Sequence, residues 1–171
     1  MRDDAGRDDA GRPTEDPGPR LAAWWREVAQ RMADLPIYNP VLEVQVTDFR
    51  RHGDFHVGVG VTPWFMNVVA VPARARSMPA AGATLVLDLP AGPIEAIVGE
   101  AGPVGTVALA SLFSPMDMFD DPAATRLVAE AALEALFERP APPEPILERQ
   151  LARPTDRRSL LFPRRSAEAA S

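Results

Sequence analysis

The sequence contains no cysteine and no lysine among its 171 residues, and it has only two histidines. Without cysteine, the chain cannot form disulfides, thiolate zinc sites, iron–sulfur clusters or a cysteine nucleophile. Without lysine, Schiff-base chemistry and a Walker-type phosphate loop are excluded as well. A Ser-His-Asp triad would have to use His52 or His56. These absences remove most of the common catalytic groups.

The chain also lacks an excess of positive charge and any long apolar run. Its formal net charge of -6 and its pI near 4.9 argue against nucleic acid as the main partner. No apolar run approaches the roughly 20 residues that are needed to cross a bilayer. The amino terminus has neither the basic nor the apolar region of a signal peptide. We therefore expect a cytoplasmic protein with no stable membrane insertion.

Charge divides the chain into three parts. Residues 1–16 carry three arginines against six acidic residues, whereas residues 139–171 carry seven arginines against four acidic residues. The opening segment has too little apolar surface to offset the entropy of ordering, about 1–2 kcal/mol per residue. We predict a disordered acidic tail over residues 1–19, a single domain over residues 20–139, and a proline-rich linker with a basic tail over residues 140–171.

Hydrophobic periodicity predicts an α+β fold. Apolar residues recur every three or four positions after Arg20, which predicts an amphipathic helix that ends near Pro36. Asp121 is the predicted N-cap of a second helix that runs to Phe137. Between the helices, alternating apolar and polar stretches predict five or six mostly antiparallel strands, with a turn at residues 50–54. We expect the amino-terminal and carboxyl-terminal helices to pack on one face of this sheet.

The two histidines are separated by three residues, a spacing that binds zinc when both lie on one face of a helix. Here His52 and His56 flank a Gly-Asp turn that leads into a strand, and a third ligand is missing. The carboxylates before the second helix lack the partner group that general acid–base catalysis needs. We predict no enzyme, no metal and no cofactor. The alternative is a small-ligand-binding or metal-dependent enzyme domain that uses His52, His56 and nearby carboxylates.

Two apolar segments, at residues 62–67 and 111–119, place aromatic residues and methionines in succession. In an extended chain, neighbouring side chains point to opposite sides, so at least one large side chain must point away from the core. Surfaces that receive varied apolar peptides often combine methionine with aromatic residues, although composition alone fits ordinary core and turn equally well. The candidate binding residues are Trp64, Phe65, Met66, Asn67, Phe113, Met116, Asp117, Met118, Phe119 and Asp120.

The basic tail contains a third apolar segment, which lies between two arginine pairs. A tail without a binding role could be purely polar, so we predict that this segment docks onto the acidic domain or onto a partner. The candidate interaction residues are Arg157, Arg158, Leu160, Leu161, Phe162, Arg164 and Arg165.

These segments, in this order, resemble the HybE/HupJ family of [NiFe]-hydrogenase assembly chaperones. The resemblance runs from about residue 31 to residue 166 and departs from the family at Ala110, where relatives often have a cysteine. The rubredoxin-like module of some relatives is absent, so no role of this chain can depend on thiol redox chemistry. The residues that carry the resemblance are Thr62-Pro-Trp-Phe-Met-Asn67, Ser111-Leu-Phe-Ser-Pro-Met116 and Arg157–Ser166, with shorter matches at Asp34-Leu35, Asn39-Pro40, Thr47-Asp48-Phe49, Pro72 and Ile97–Glu100.

The resemblance implies a maturation factor and not a catalyst. Relatives are understood to hold the hydrogenase small-subunit precursor with its twin-arginine signal peptide, or the maturing large subunit, in the cytoplasm until cofactors are installed. Such a signal peptide is an arginine pair followed by an apolar helix, so a receptor needs carboxylates beside an apolar groove. We hypothesise that residues 116–121 form one wall of this groove and residues 64–66 the other. A second hypothesis is that the tail, which resembles the twin-arginine motif at Asp156–Leu161, occupies the empty groove.

Overall fold

The computed structural model describes residues 16–74 and 78–141, and this part of the chain forms two α-helices and seven strands. The predicted α+β class and antiparallel sheet are confirmed. Helix α1 begins at Gly18, two residues before the predicted start of the domain. The elements are α1 (Gly18–Met32), β1 (Gln45–Val46), β2 (Arg50–His52), β3 (Phe55–Val61), β4 (Met66–Pro72), β5 (Thr84–Leu89), β6 (Gly92–Glu100), a 3₁₀ turn (Gly102–Val104), β7 (Thr106–Phe113) and α2 (Pro122–Phe137).

The strands form one sheet in the order β1-β3-β4-β7-β6-β5, and β2 also pairs with β3. Every pair is antiparallel. The chain therefore builds the β5–β6 hairpin at the far side of the sheet before β7 returns to lie between β4 and β6. The sheet has more strands than predicted because Arg50–His52, which we expected to be part of a turn, pairs with β3.

The two helices pack on opposite faces of the sheet, so the prediction that both lie on one face is wrong. Val69 and Val71 of β4 belong to the cluster that contains the buried side of α1. Met66 of β4 belongs to the cluster that contains Ala129 and Leu133 of α2. Even and odd residues of a strand face opposite sides, so each helix covers a different face. Helix periodicity predicts an apolar side but does not predict which face of a sheet that side will cover.

Two glycines of β3 make room for aromatic rings on the α1 face of the sheet. A Cβ atom at Gly60 would lie 2.3 Å from the ring of Trp25, and one at Gly58 would lie 2.7 Å from the ring of Phe49. The rings therefore fill the space that side chains on the strand would otherwise occupy. Trp25 is buried as a result.

Helix α2 begins and ends as the sequence predicts. Asp121 Oδ1 accepts a hydrogen bond from the backbone N–H of Ala123 at 2.9 Å, and Pro122 occupies the first turn. The helix packs on β3 through its buried residues, and on its exposed side Glu134 forms an ion pair with Arg50. The hydrogen bond from Arg50 lowers the pKa of the Glu134 carboxyl. Neither helix is long and apolar enough to span a membrane, within the residues described.

Candidate functional site

The two segments rich in methionine and aromatic residues meet at one end of the sheet. Met66 at the start of β4 is the cross-strand neighbour of Phe113 at the end of β7. Ser114 Oγ donates a hydrogen bond to the carbonyl oxygen of Trp64 at 3.4 Å. The order β3-β4-β7 thus brings together the two segments that we hypothesised to form opposing walls.

Asn39 joins these segments to the loop that follows α1. Its Nδ2 donates to the carbonyl oxygens of Met116 at 2.9 Å and Phe119 at 2.7 Å. Its backbone N–H donates to the carbonyl oxygen of Pro63 at 2.9 Å, and its Oδ1 accepts from the N–H of Val41 at 3.1 Å. Sequence reasoning did not identify Asn39 as a site residue. The only signal was its place in the family resemblance.

Three of the predicted binding residues are core residues, which corrects the expected groove. Trp64, Met66 and Met116 are all buried. The Trp64 ring stacks on Tyr38 with the ring centroids 6.3 Å apart. Met66 and Met116 pack in the same cluster as the buried side of α2. Because β4 is covered on both faces, the segment that leads into it is covered as well, and it forms no exposed wall.

The other predicted residues range from buried to fully accessible. Asn67 is buried, and its Oδ1 has no hydrogen-bond partner within the described residues. Phe65 is partly buried against Trp25, with 5.5 Å between the ring centroids. Phe113 and Phe119 are also partly buried and meet edge to face, with 5.2 Å between their centroids. Asp117, Met118 and Asp120 are exposed.

Exposed apolar side chains occur in both of the loops that Asn39 joins. Leu35, Ile37, Val41 and Met118 are 47%, 50%, 51% and 70% exposed, and each lies within four residues of Asn39 or of its acceptors. Exposed carboxylates in the same two loops form no ion pair within the described part of the chain. We call this set the junction surface, and it comprises Asp34, Leu35, Ile37, Val41, Asp117, Met118 and Asp120.

The sequence analysis found three of the seven residues of the junction surface. It identified Asp117, Met118 and Asp120, but it placed Leu35 inside the first helix, which it predicted to end near Pro36. In the structure α1 ends at Met32, so Leu35 lies in the loop. The signal that could have found Ile37 and Val41 is the presence of apolar side chains in a proline-containing loop, which ordinarily exposes polar ones.

A groove of about 1160 Å³ runs along the β1 edge of the sheet. Its floor is the segment Leu42–Val46, and its walls come from α1 and from the amino end of α2. Residues of both helices line the groove, although the helices cover opposite faces of the sheet. The backbone N–H of Leu42 donates to the carbonyl oxygen of Asn39 at 3.2 Å, so the groove adjoins the junction surface.

His52 and His56 lie on opposite faces of the sheet and cannot bind a common ligand. His52 is opposite Phe55 in the β2–β3 ladder, so it shares the α2 face, whereas His56 is the next residue along β3. His52 Nε2 lies 2.7 Å from the carbonyl oxygen of Asp88, and burial lowers the pKa of His56. No group of three or more metal-binding side chains occurs in residues 16–74 and 78–141.

The tail candidates, Arg157, Arg158, Leu160, Leu161, Phe162, Arg164 and Arg165, lie outside the described residues, and so do residues 1–15. Their predicted roles and the predicted domain boundaries stay predictions.

Comparisons with known proteins identify the family. Residues 16–163 match the family described as "[NiFe]-hydrogenase assembly, chaperone, HybE". The chain is 46% identical over 146 residues to the hydrogenase expression/formation protein HupJ of Bradyrhizobium diazoefficiens, covering 84% of this chain and 86% of that protein. It is 30% identical over 161 residues to the hydrogenase-2 operon protein HybE of Escherichia coli K12, covering 90% and 93%.

A solved structure has the same fold. The solution structure of HybE from Escherichia coli matches with a TM-score of 0.62 and 28% sequence identity, and the match covers 94% of this chain and 97% of that one. The resemblance inferred from the sequence motifs is therefore confirmed. The chain belongs to the HybE family of [NiFe]-hydrogenase assembly chaperones.

Proposed function

We propose that this chain is an accessory chaperone that binds the precursor of a [NiFe]-hydrogenase small subunit in the cytoplasm before export. The twin-arginine signal peptide binds the junction surface, and the large subunit is a further candidate partner. The chain makes and breaks no covalent bond in this role. Its task is to cover the apolar and basic segment of the precursor until assembly is complete.

The observation that carries this proposal is an apolar surface beside carboxylates that have no ion pair within the described residues. Single exposed apolar side chains are ordinary, but several on adjoining loops are typical of interaction sites. Ile37, Val41 and Met118 offer contact area to the apolar helix of a signal peptide. Asp117 and Asp120 offer partners to its arginine pair, because guanidinium groups bind carboxylates strongly.

Binding of the signal peptide to junction-surface variants tests the proposal. We expect Met118→Glu to weaken binding of the synthetic small-subunit signal peptide by about tenfold or more, because a buried carboxylate would replace an apolar contact. The matched control is Val86→Glu, which makes a similar apolar-to-acidic change at a 52% exposed residue of β5. Isothermal titration calorimetry measures both affinities. Equal affinities of the two variants would refute the assignment of the junction surface.

A second comparison tests the signal peptide itself. The full precursor, the mature small subunit and a precursor with two lysines in place of its arginine pair are titrated separately. We expect the mature subunit to bind about tenfold more weakly than the precursor, and the lysine precursor to fall between them because lysine lacks bidentate geometry. Equal binding of precursor and mature subunit would eliminate signal-peptide recognition.

A further inference from the structure

Within residues 16–74 and 78–141, strand β1 leaves one edge of the sheet open along the groove. It stands at the end of the strand order and pairs on one side with β3. An open edge presents unpaired main-chain N–H and C=O groups, which are ready to pair with another chain. Strand β1 has only 2 residues, and a helix covers each face of the sheet, so an added strand can pair only within the groove.

The hydrogen bonds of β1 indicate which main-chain groups face the groove. The N–H of Thr47 donates to the carbonyl oxygen of Val59 at 2.9 Å, and Gln45 is opposite Val61 in the same register. In an antiparallel pair, residues that bond to the neighbouring strand alternate with residues that bond away from it. The N–H and C=O groups of Val46 therefore point away from β3, toward the groove.

The walls of the groove leave room for an additional strand. Small side chains line both walls, and the longer polar side chains on the same walls are flexible and can move aside. The small residues are Ala22, Ala29, Ala33, Pro122 and Ala123, and the polar ones are Arg26, Gln30, Asp121 and Arg126. The volume of about 1160 Å³ is above the usual range for small-molecule pockets, about 300–1000 Å³. A groove of this volume along a sheet edge has room for a short segment of polypeptide.

Gln45 supplies a further polar group in the groove. Its Nε2 donates to the carbonyl oxygen of Pro122 at 3.1 Å. Its Oε1 is buried and has no hydrogen-bond partner within the described residues. Buried polar atoms nearly always have a partner, so an occupant that shifts the Gln45 side chain and exposes this oxygen would supply the missing donor. On an added strand, the residue beside Gln45 would point to the same face of the sheet.

We propose that an extended segment of the hydrogenase subunit adds to β1 as a further strand. Its main chain bonds to Val46, and a side chain with an N–H donor, such as arginine, asparagine or glutamine, bonds to Gln45 Oε1. This inference rests on the proposed function, because the occupant is a part of the same client. The groove adjoins the junction surface at Leu42, so one client can contact both.

The variant that tests strand addition is Val46→Pro. Proline removes the N–H that faces the groove, while the bonds of Gln45 and Thr47 to β3 remain possible, and edge strands tolerate proline at such positions. Val46→Ala is the matched control, because it removes the packing of the side chain and keeps the N–H. We expect precursor affinity to fall about tenfold with proline and by less than about threefold with alanine. Equal affinities of the two variants would overturn the proposal.

Amide hydrogen exchange in the unmodified protein provides a test that does not depend on the folding of a variant. We expect exchange at Val46 to slow by about tenfold or more when the precursor binds, whereas Thr47 is protected in both states because its N–H bonds to Val59. If the protein binds the precursor but exchange at Val46 is unchanged, strand addition is refuted and the proposed function is not. Failure of the unmodified protein to bind any precursor form refutes the proposed function as well. Protection that rises with protein concentration without precursor would assign the edge to a second copy instead.

Discussion

The segments 62–67 and 111–119 have similar compositions, but only the second carries an exposed methionine. Both contain phenylalanine and methionine, yet Met66 is fully buried and Met118 is 70% exposed. The first segment leads into β4, which has β3 and β7 as neighbours and a covered surface on both faces. The second segment begins in β7 and continues as a loop before α2, in which Met116 is buried and Met118 is exposed. The layers that cover a residue, and not the apolar content of its segment, decide whether it belongs to the core or to a contact surface.

The largest effect that this comparison predicts is on stability. Trp64→Ala should lower the free energy of unfolding by about 3–5 kcal/mol, because the buried ring loses its contacts and leaves a cavity. Urea unfolding followed by circular dichroism measures the change. The control, Met118→Ala, should change stability by less than about 0.5 kcal/mol. A loss of under about 1 kcal/mol at Trp64 would mean that the two segments do not differ as described.

An intermediate effect is expected at Asn39, which forms hydrogen bonds both to the loop at residues 114–120 and to Pro63 in the other segment. Asn39→Ala should lower stability by about 1–3 kcal/mol, because the carbonyl oxygens of Met116 and Phe119 lose their donor. Asn39→Asp keeps the acceptor for Val41 and removes the two donors, so it should be at least as destabilising. Urea unfolding and limited proteolysis at residues 114–120 measure both variants. A stable Asn39→Asp protein would show that the donors do not hold the loop.

A smaller effect on stability, with a clear effect on binding, is expected at the carboxylates of the exposed segment. The double variant Asp117→Asn, Asp120→Asn should keep the stability of the parent within about 0.5 kcal/mol, because both side chains are exposed and form no ion pair within the described residues. Its affinity for the signal peptide should fall several-fold at low salt. The difference should disappear near 1 M salt, where the Debye length is about 3 Å. An identical salt dependence of parent and variant would show that these two carboxylates do not attract the signal peptide.

The smallest effect concerns the ion pair on the exposed side of α2, the helix that follows the exposed segment. Arg50 holds the pKa of Glu134 below its usual range, so the pair stabilises the fold at neutral pH. That contribution is lost as the pH falls below the ordinary glutamate pKa of about 4.3 and through the lower value in the folded state. Glu134→Gln should lower the free energy of unfolding slightly at pH 7, and this difference from the parent should disappear toward pH 3. Urea unfolding across this range measures it, with Glu95→Gln as the control for removing an exposed carboxylate.

The sequence predicts best those structural features that depend on residues close together in the chain. The bounds of α2 follow from Asp121, Pro122 and the Arg139-Pro140 stop, and these signals act within one turn of helix. The faces covered by the helices depend on how the chain crosses the sheet, and no local pattern encodes that. This is why the predicted packing on one face is wrong while the α+β class is confirmed.

The candidate site follows the same rule. The sequence motifs identify the two segments that meet, but the burial of Trp64 and Met66 depends on the strand order. Asn39 acts through hydrogen bonds to residues 77 and 80 positions away in the chain. Such contacts leave no periodic signal in a single sequence. The groove along β1 likewise depends on the placement of α1 and α2 on opposite faces.

Gly60, which has no side chain, helps to set the width of the groove although it does not line it. Trp25 lies where a single carbon atom at position 60 would have to fit. Ala22 and Ala29, on the same helix as Trp25, form one wall of the groove. In Gly60→Ala, the added methyl group would push the indole away from β3, and the helix that forms the wall would move with it. A change of one carbon atom outside the groove would therefore change the width of the groove.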